Sequence, residues 1–208
     1  MQTILVLLLF ALLGFFSGSV MYANIIAKWR GVDISEHNPG ATSVFRLAGK
    51  HFGVLCFFLD AAKGFLPVFF ARMLLGMHHP LFALVIAAPV LGHCFSPMLR
   101  FRGGIGLATT IGVQLAVSVW YAPMFMYWLF FAGLFRYVIR IKPDGLQQGV
   151  VVMFLFALAS LLIPHIPLPL RLGAAAVAAI VISKSLKHCI REKDQWAITF
   201  FWKKSEAA

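Results

Sequence analysis

Charge is scarce in this chain, and negative charge is scarcest. Only 12% of its 208 residues are charged, and just seven are Asp or Glu. A soluble domain has about twice that charged fraction, so a solvated globule is excluded. Few acids also mean few acid/base devices: no carboxylate pair, Ser-His-Asp spacing or HExxH pattern stands out. Cysteine is nearly as rare. Cys56, Cys94 and Cys189 form an odd set without paired spacing, which excludes a disulfide framework and a zinc pattern. The first apolar run has no basic stretch before it and continues past Gly18 into "VMYANIIA", unlike a cleaved signal peptide. Repeats, low-complexity tracts and long linkers are also missing. The expectation is one membrane-embedded unit over 1–208, with spans and loops over 1–183 and a cytoplasmic tail over 184–208.

Apolar residues fill the gap. They make up 61% of the chain, and the mean hydropathy is +0.89. An all-α, polytopic integral membrane protein follows. Seven runs are candidates to cross a bilayer: 3–27, 52–75, 80–99, 104–120, 123–138, 146–164 and 168–183. With the N-terminus outside and the C-terminus cytoplasmic, fifteen of the 18 lysines and arginines fall on the cytoplasmic side, as the positive-inside rule requires. The net charge of +11 then points to anionic lipid headgroups or phosphorylated substrates rather than nucleic acid, because the bases sit between apolar runs. In the first run, Gly14 and Gly18 make a small-xxx-small pattern that favours close helix packing. The tail mixes bases with Trp196, Phe200, Phe201 and Trp202. It reads either as a helix lying on the headgroups or as a solvated tail.

The polar residues collect in four places. Asp60 lies well inside a span and Lys63 follows three residues later, on the same helical face. Charges in a membrane are costly, so the pair is a structural strut or a site in which Lys63 reaches a phosphate. The segment "EHNPGATS" (36–43) has turn chemistry at His37-Asn38-Pro39-Gly40. A short helix is expected after it, with Arg46 one to two turns along. The stretch "GHCFSPMLRFRGGIGLATT" (92–110) puts His93 before a membrane boundary, then Arg100, Arg102 and the glycines 103, 104 and 106. Glycines can free backbone N–H groups to grip an anion, or they can be small residues where helices touch. His188 sits in the basic tail.

Taken together, these residues resemble the bacterial membrane glycerol-3-phosphate acyltransferases that use acyl phosphate (the PlsY family). "GVDI", "NPGAT" and Arg46 are similar to its first motif. "DAAKGFLPV" (60–68) is similar to its D-x-x-K-G-x-x-P-V segment, and 92–113 to its second motif. His188 matches its third-motif histidine. The family's Gly-Ser-Gly before the first-motif Asn is absent, Ser43 stands for that motif's final Asn, and Ile105 stands for the Lys of its glycine loop. The third motif's Asn and its continuation are absent too.

The resemblance implies transfer of an acyl group from acyl phosphate to glycerol 3-phosphate or a related polyol phosphate, in the inner membrane and among its lipids. It implies no cofactor and no metal. His93 and His188 would be catalytic. Asn38, Thr42, Arg46, Lys63, Arg102, Gly103, Gly104, Gly106 and Thr109 would hold substrate, and Asp60 would be structural. A non-catalytic relative that binds phosphorylated lipid stays open as an alternative. A small transporter is disfavoured by the lack of an inverted repeat.

Overall fold

A computed structural model of the chain describes residues 1–35, 37–117, 139–142, 152–162, 166–191 and 197–200. The helices are α1 (Gln2–Ser19), α2 (Tyr22–Trp29), α3 (Ala41–Leu47), α4 (Lys50–Leu75), α5 (Phe82–Cys94), α6 (Leu107–Val117), α7 (Val152–Leu162) and α8 (Leu168–Arg191), with a 3-10 turn at Pro97–Leu99. Among the described residues, four segments are long and apolar enough to cross a membrane: Gln2–Trp29, Lys50–Leu75, Phe82–Leu99 and Leu168–His188. Leu107–Val117 and Met153–Leu162 are shorter apolar helices. The run expected at 123–138 lies outside the described residues.

Two expectations change at the C-terminal end. The last span does not stop at Ser183: α8 continues to Arg191, because "KSLKHCIR" has no glycine or proline to end it. Beyond it, Ala197–Phe200 is a strand (β2) rather than a surface helix. It pairs antiparallel with Ile139–Lys142 (β1), Ile139 opposite Phe200. Ile139 and Ile141 in β1 and Ile198, Thr199 and Phe200 in β2 are β-branched or aromatic, types that favour a strand wherever a partner edge is present. Among the described residues the fold is thus helical with one short ribbon.

Small residues bring the helices together. Gly14 faces the Pro89 ring, Gly18 the Pro89 carbonyl, and Gly92 the Phe15 carbonyl. The Ser96 hydroxyl donates to the Ser19 carbonyl at 2.6 Å. From Gly14 against Pro89 to Ser19 against Ser96 the two chains advance together, so the two helices run the same way. Gly173 of α8 packs on Ile86, and Lys184 lies over Phe95, so α8 also runs parallel to α5. Helices α4 and α6 cross where Gly64 meets the Thr109 carbonyl and Gly112 meets the Ala61 carbonyl. Arg72 then donates to the carbonyls of Ala116 and Val117, at 3.0 and 2.9 Å. These belong to the last described turn of α6.

The main core joins α1 and α4 to α8, with Val68, Phe82, Val85, Val113, Phe156 and Val181 at its centre. A smaller cluster of Ala23, Ile26, Ile34, Val44 and Cys56 seats α2 and α3 on the first half of α4. Leu5, Leu12, Phe16, Phe58 and Phe70 stay exposed, as lipid-facing side chains do when hydrocarbon rather than water surrounds the fold.

Pro67 shows how local chemistry and packing interlock. It has no N–H, so the Lys63 carbonyl four residues earlier loses its helical donor. The Ser17 hydroxyl of α1 takes that place, at 3.2 Å.

A side chain at Gly112 would strike the Ala61 carbonyl. Gly112→Val is expected to cost roughly 1–3 kcal/mol or more by overpacking, read as a lower thermal midpoint of the detergent-solubilised protein. An unchanged midpoint would contradict the close α4–α6 crossing.

Candidate active site at the helix ends

Asp60 and Lys63 lie on one face of α4, 1% and 3% exposed. The Lys63 ammonium is 2.7 Å from Asp60 Oδ1 and donates to the Val20 carbonyl at 2.6 Å. Helix α1 ends at Ser19 and Val20 is extended, so this carbonyl faces out of the break between α1 and α2. The Tyr22 ring lies 5.6 Å from the same ammonium. One turn before Asp60, the Cys56 thiol reaches Asp60 Oδ2 at 3.8 Å.

His93, in the last turn of α5, comes to the other side of the carboxylate. Its Nδ1 is 3.8 Å from Asp60 Oδ1, beyond hydrogen-bond length, and has no hydrogen-bond partner. Its Nε2 faces the glycine loop: a methyl group on Gly104 would lie 2.5 Å from it and 2.6 Å from the Pro39 carbonyl. The segment around Asn38 therefore borders the loop through its backbone. Ser43, standing where the family pattern has Asn, donates to the Asn38 carbonyl at 2.6 Å and closes that turn.

The loop itself is built in two parts. Arg100 and Phe101 have φ of 52° and 62°, the left-handed region that costs non-glycine residues of order 1–3 kcal/mol each. Their N–H groups are held by Pro97 and Ser96 carbonyls, and that of Arg102 by the Leu99 carbonyl. After Arg102 this pattern stops. The N–H groups of Gly103, Gly104, Ile105 and Gly106 donate to no acceptor among the described residues, although all three glycines are buried. Buried amides without acceptors are rare. Gly103 packs on the His93 and Cys94 backbone, and the Cys94 thiol donates to the Ile105 carbonyl at 3.2 Å. Gly106, at φ +92°, sits against the Cys94 sulfur. Thr109, wholly buried just inside α6, has a hydroxyl without a partner.

The structure thus gathers His93, Asp60, Lys63, Gly103, Gly104, Gly106 and the backbone next to Asn38. Arg46, Thr42 and Arg102 are exposed, and no carboxylate pairs with either arginine among the described residues. His188 is half-buried on α8, one turn beyond Lys184 and on the same face. Asp33, in the loop before α3, is held below the usual carboxylate range by the Ser35 N–H and hydroxyl. Among the described residues no group of three His, Cys, Asp or Glu is placed to hold a metal.

Two features carry no sequence signal. Asp60 reads as the partner of Lys63 alone, yet it also faces His93, 33 positions away. Lys184 and Lys187 read as tail charges, yet both ammoniums lie 5.4 Å from the Phe95 ring centroid.

The sequence profile of the glycerol-3-phosphate acyltransferases matches residues 8–192. The chain belongs to the glycerol-3-phosphate acyltransferase family. Membership makes it an integral, multi-pass membrane acyltransferase. A glycerol-3-phosphate acyltransferase of Hydrogenobaculum sp. is 34% identical over 187 residues, 88% of this chain and 91% of that one. One from Aquifex aeolicus is 42% identical over 128 residues, 58% of this chain and 65% of that one. Among solved structures, PlsY, an integral membrane glycerol 3-phosphate acyltransferase, is similar in its lysophosphatidic acid form with a TM-score of 0.78. That match is at 29% identity over 94% of this chain and 96% of that one. Its glycerol 3-phosphate form gives 0.77 at 31%, over 90% and 92%.

Gly104→Ala pushes a methyl group between His93 and the Pro39 carbonyl. It is expected to lower acyl transfer by about 100-fold, the effect of a misplaced reacting group. Gly31→Ala, at an open turn, is expected to leave the rate within about twofold, its left-handed backbone costing only about 1 kcal/mol of stability. Equal rates for both variants would contradict a functional glycine loop.

Proposed function

We propose that this chain moves a fatty acyl group from acyl phosphate to glycerol 3-phosphate, giving lysophosphatidic acid and inorganic phosphate for phospholipid synthesis. The observation that carries this reading is the row of four loop amides without acceptors, packed on a buried histidine. Backbone N–H groups at a helix start are suited to a phosphate, and a neighbouring base is suited to a hydroxyl proton.

In this reading the glycerol 3-phosphate hydroxyl oxygen attacks the acyl carbonyl carbon. The new C–O bond forms, the bond from that carbon to the phosphate oxygen breaks, and phosphate leaves. His93 takes the hydroxyl proton on Nε2 and returns it to the departing phosphate. Asp60, facing Nδ1, favours the protonated ring in between. The amides of Gly103 to Gly106 and the hydroxyl of Thr109 hold phosphate oxygens. Arg46 and Arg102 offset their charge from the aqueous side, with Asn38 on the bordering turn and Thr42 in the first turn of α3. His188 orients the acceptor hydroxyl.

The Lys63 ammonium is already committed, as the ion-pair partner of Asp60 and as donor to the Val20 carbonyl. Its task is to fix the frame rather than to meet substrate. Proximity and electrostatic stabilisation supply the rate.

The proposed setting is the inner membrane, with the N-terminus outside and the C-terminus cytoplasmic. The parallel run of α1 and α8 supports it, since parallel first and last spans need an odd number of crossings. The basic residues at one face support it too.

Purified protein in lipid discs is expected to form lysophosphatidic acid and inorganic phosphate in equal amounts from acyl phosphate and glycerol 3-phosphate. His93→Gln is expected to lower the rate by about 10²–10⁴-fold, the usual contribution of a positioned base. Absence of transfer to any polyol phosphate by the unaltered protein would contradict the reading.

A further inference from the structure

Lys184 is half-buried near the end of the Leu168–His188 span. Its ammonium lies over the Phe95 ring, and Lys187 lies over the same ring at the same 5.4 Å. Two cations thus share one aromatic side chain, two residues after His93. Among the described residues no carboxylate pairs with either. A half-buried cation at a membrane face ordinarily has a counter-charge, and a bound phosphate would supply one.

The position of Lys184 relative to the glycine loop is given by Cys94. The ammonium is within electrostatic reach of both Cys94 and His93. The Cys94 thiol, in turn, bonds the Ile105 carbonyl and touches Gly106. Lying over Phe95, Lys184 is at the end of α5 that meets the loop through Cys94 at Ile105 and Gly106, whose amides lack acceptors. Ile105 brings no charge there: its side chain packs against the main core.

We propose that Lys184 reaches from α8 to bind the phosphate group held by the glycine loop, supplying the cation that Ile105 cannot. This rests on the reaction proposed above and names a binding residue for it. Lys184 and His188 share a face one turn apart, so a phosphate at Lys184 sits in line with the second histidine. The Phe95 ring keeps the lysine stem in place by cation–π contact.

The test is the affinity of glycerol 3-phosphate, by calorimetry, for the full chain in discs of zwitterionic lipid and in discs containing phosphatidylglycerol. Acyl transfer is followed in parallel. Lys184→Gln is expected to weaken binding roughly 10- to 100-fold, the loss of one charge-assisted hydrogen bond, and to raise KM for glycerol 3-phosphate more than it lowers kcat. Lys184→Arg is expected to keep most of the affinity. Adding Ile105→Lys to Lys184→Gln is expected to restore it, which a merely structural lysine would not allow.

Affinity in Lys184→Gln within about twofold of the unaltered protein overturns the proposal. So does a variant that loses only the effect of phosphatidylglycerol, because the ligand is then a lipid headgroup. Lys184-dependent binding in a protein that transfers nothing would sustain the subsite and strike the reaction. Transfer with an affinity indifferent to Lys184 would do the reverse.

Discussion

The buried ion pair of Asp60 and Lys63 is the contact from which the rest of the site is hung. Two charges taken out of water cost several kcal/mol each, and their attraction offsets this only in good geometry with further hydrogen bonds. The further bond here is the Val20 carbonyl at 2.6 Å, where α1 breaks into α2. The same carboxylate faces His93 on α5. A single pair on α4 therefore fixes the end of α1, the direction of α2 and one side of the histidine. Pro67 adds to it, since the Lys63 carbonyl it frees is taken by Ser17.

Around that point the helices approach at backbone distance. Gly18 and Gly92 interlock α1 with α5, and Gly64 and Gly112 interlock α4 with α6. In hydrocarbon there is little hydrophobic drive between helices, so such contacts and the hydrogen bonds they permit hold the bundle. They also carry α5 and α6 to the same level, so the loop between them folds over His93. The strained backbone at Arg100 and Phe101 is the local cost of turning that loop back. The Ser96 and Pro97 carbonyls hold it in place.

Much of this was legible in the sequence, for physical reasons that differ by residue. Long apolar runs have one solution in lipid, the helix, so the membrane class and most span positions follow from hydropathy. Asp60 and Lys63 are three apart and inside a span, so their pairing is local chemistry. The glycine loop is punctuated by residue types with few other uses. What escaped depends on distance along the chain. Nothing near Asp60 signals His93, and nothing near Lys184 signals Phe95, 89 positions earlier. The β1–β2 ribbon escaped for the same reason, since a strand needs its partner. The end of α8 escaped because hydropathy marks where a span leaves the bilayer, not where the helix stops.

A double-mutant cycle on the ion pair tests the account most directly, with thermal stability and acyl transfer measured for Asp60→Asn, Lys63→Met and the two combined. Each single change is expected to cost about 3–5 kcal/mol, because it leaves one charge buried alone. The combined change is expected to recover much of that stability while transfer stays low, since His93 has lost its carboxylate and Val20 its donor. Additive losses of stability, or a double variant that transfers acyl groups at the normal rate, would contradict the claim that this pair sets the frame of the site.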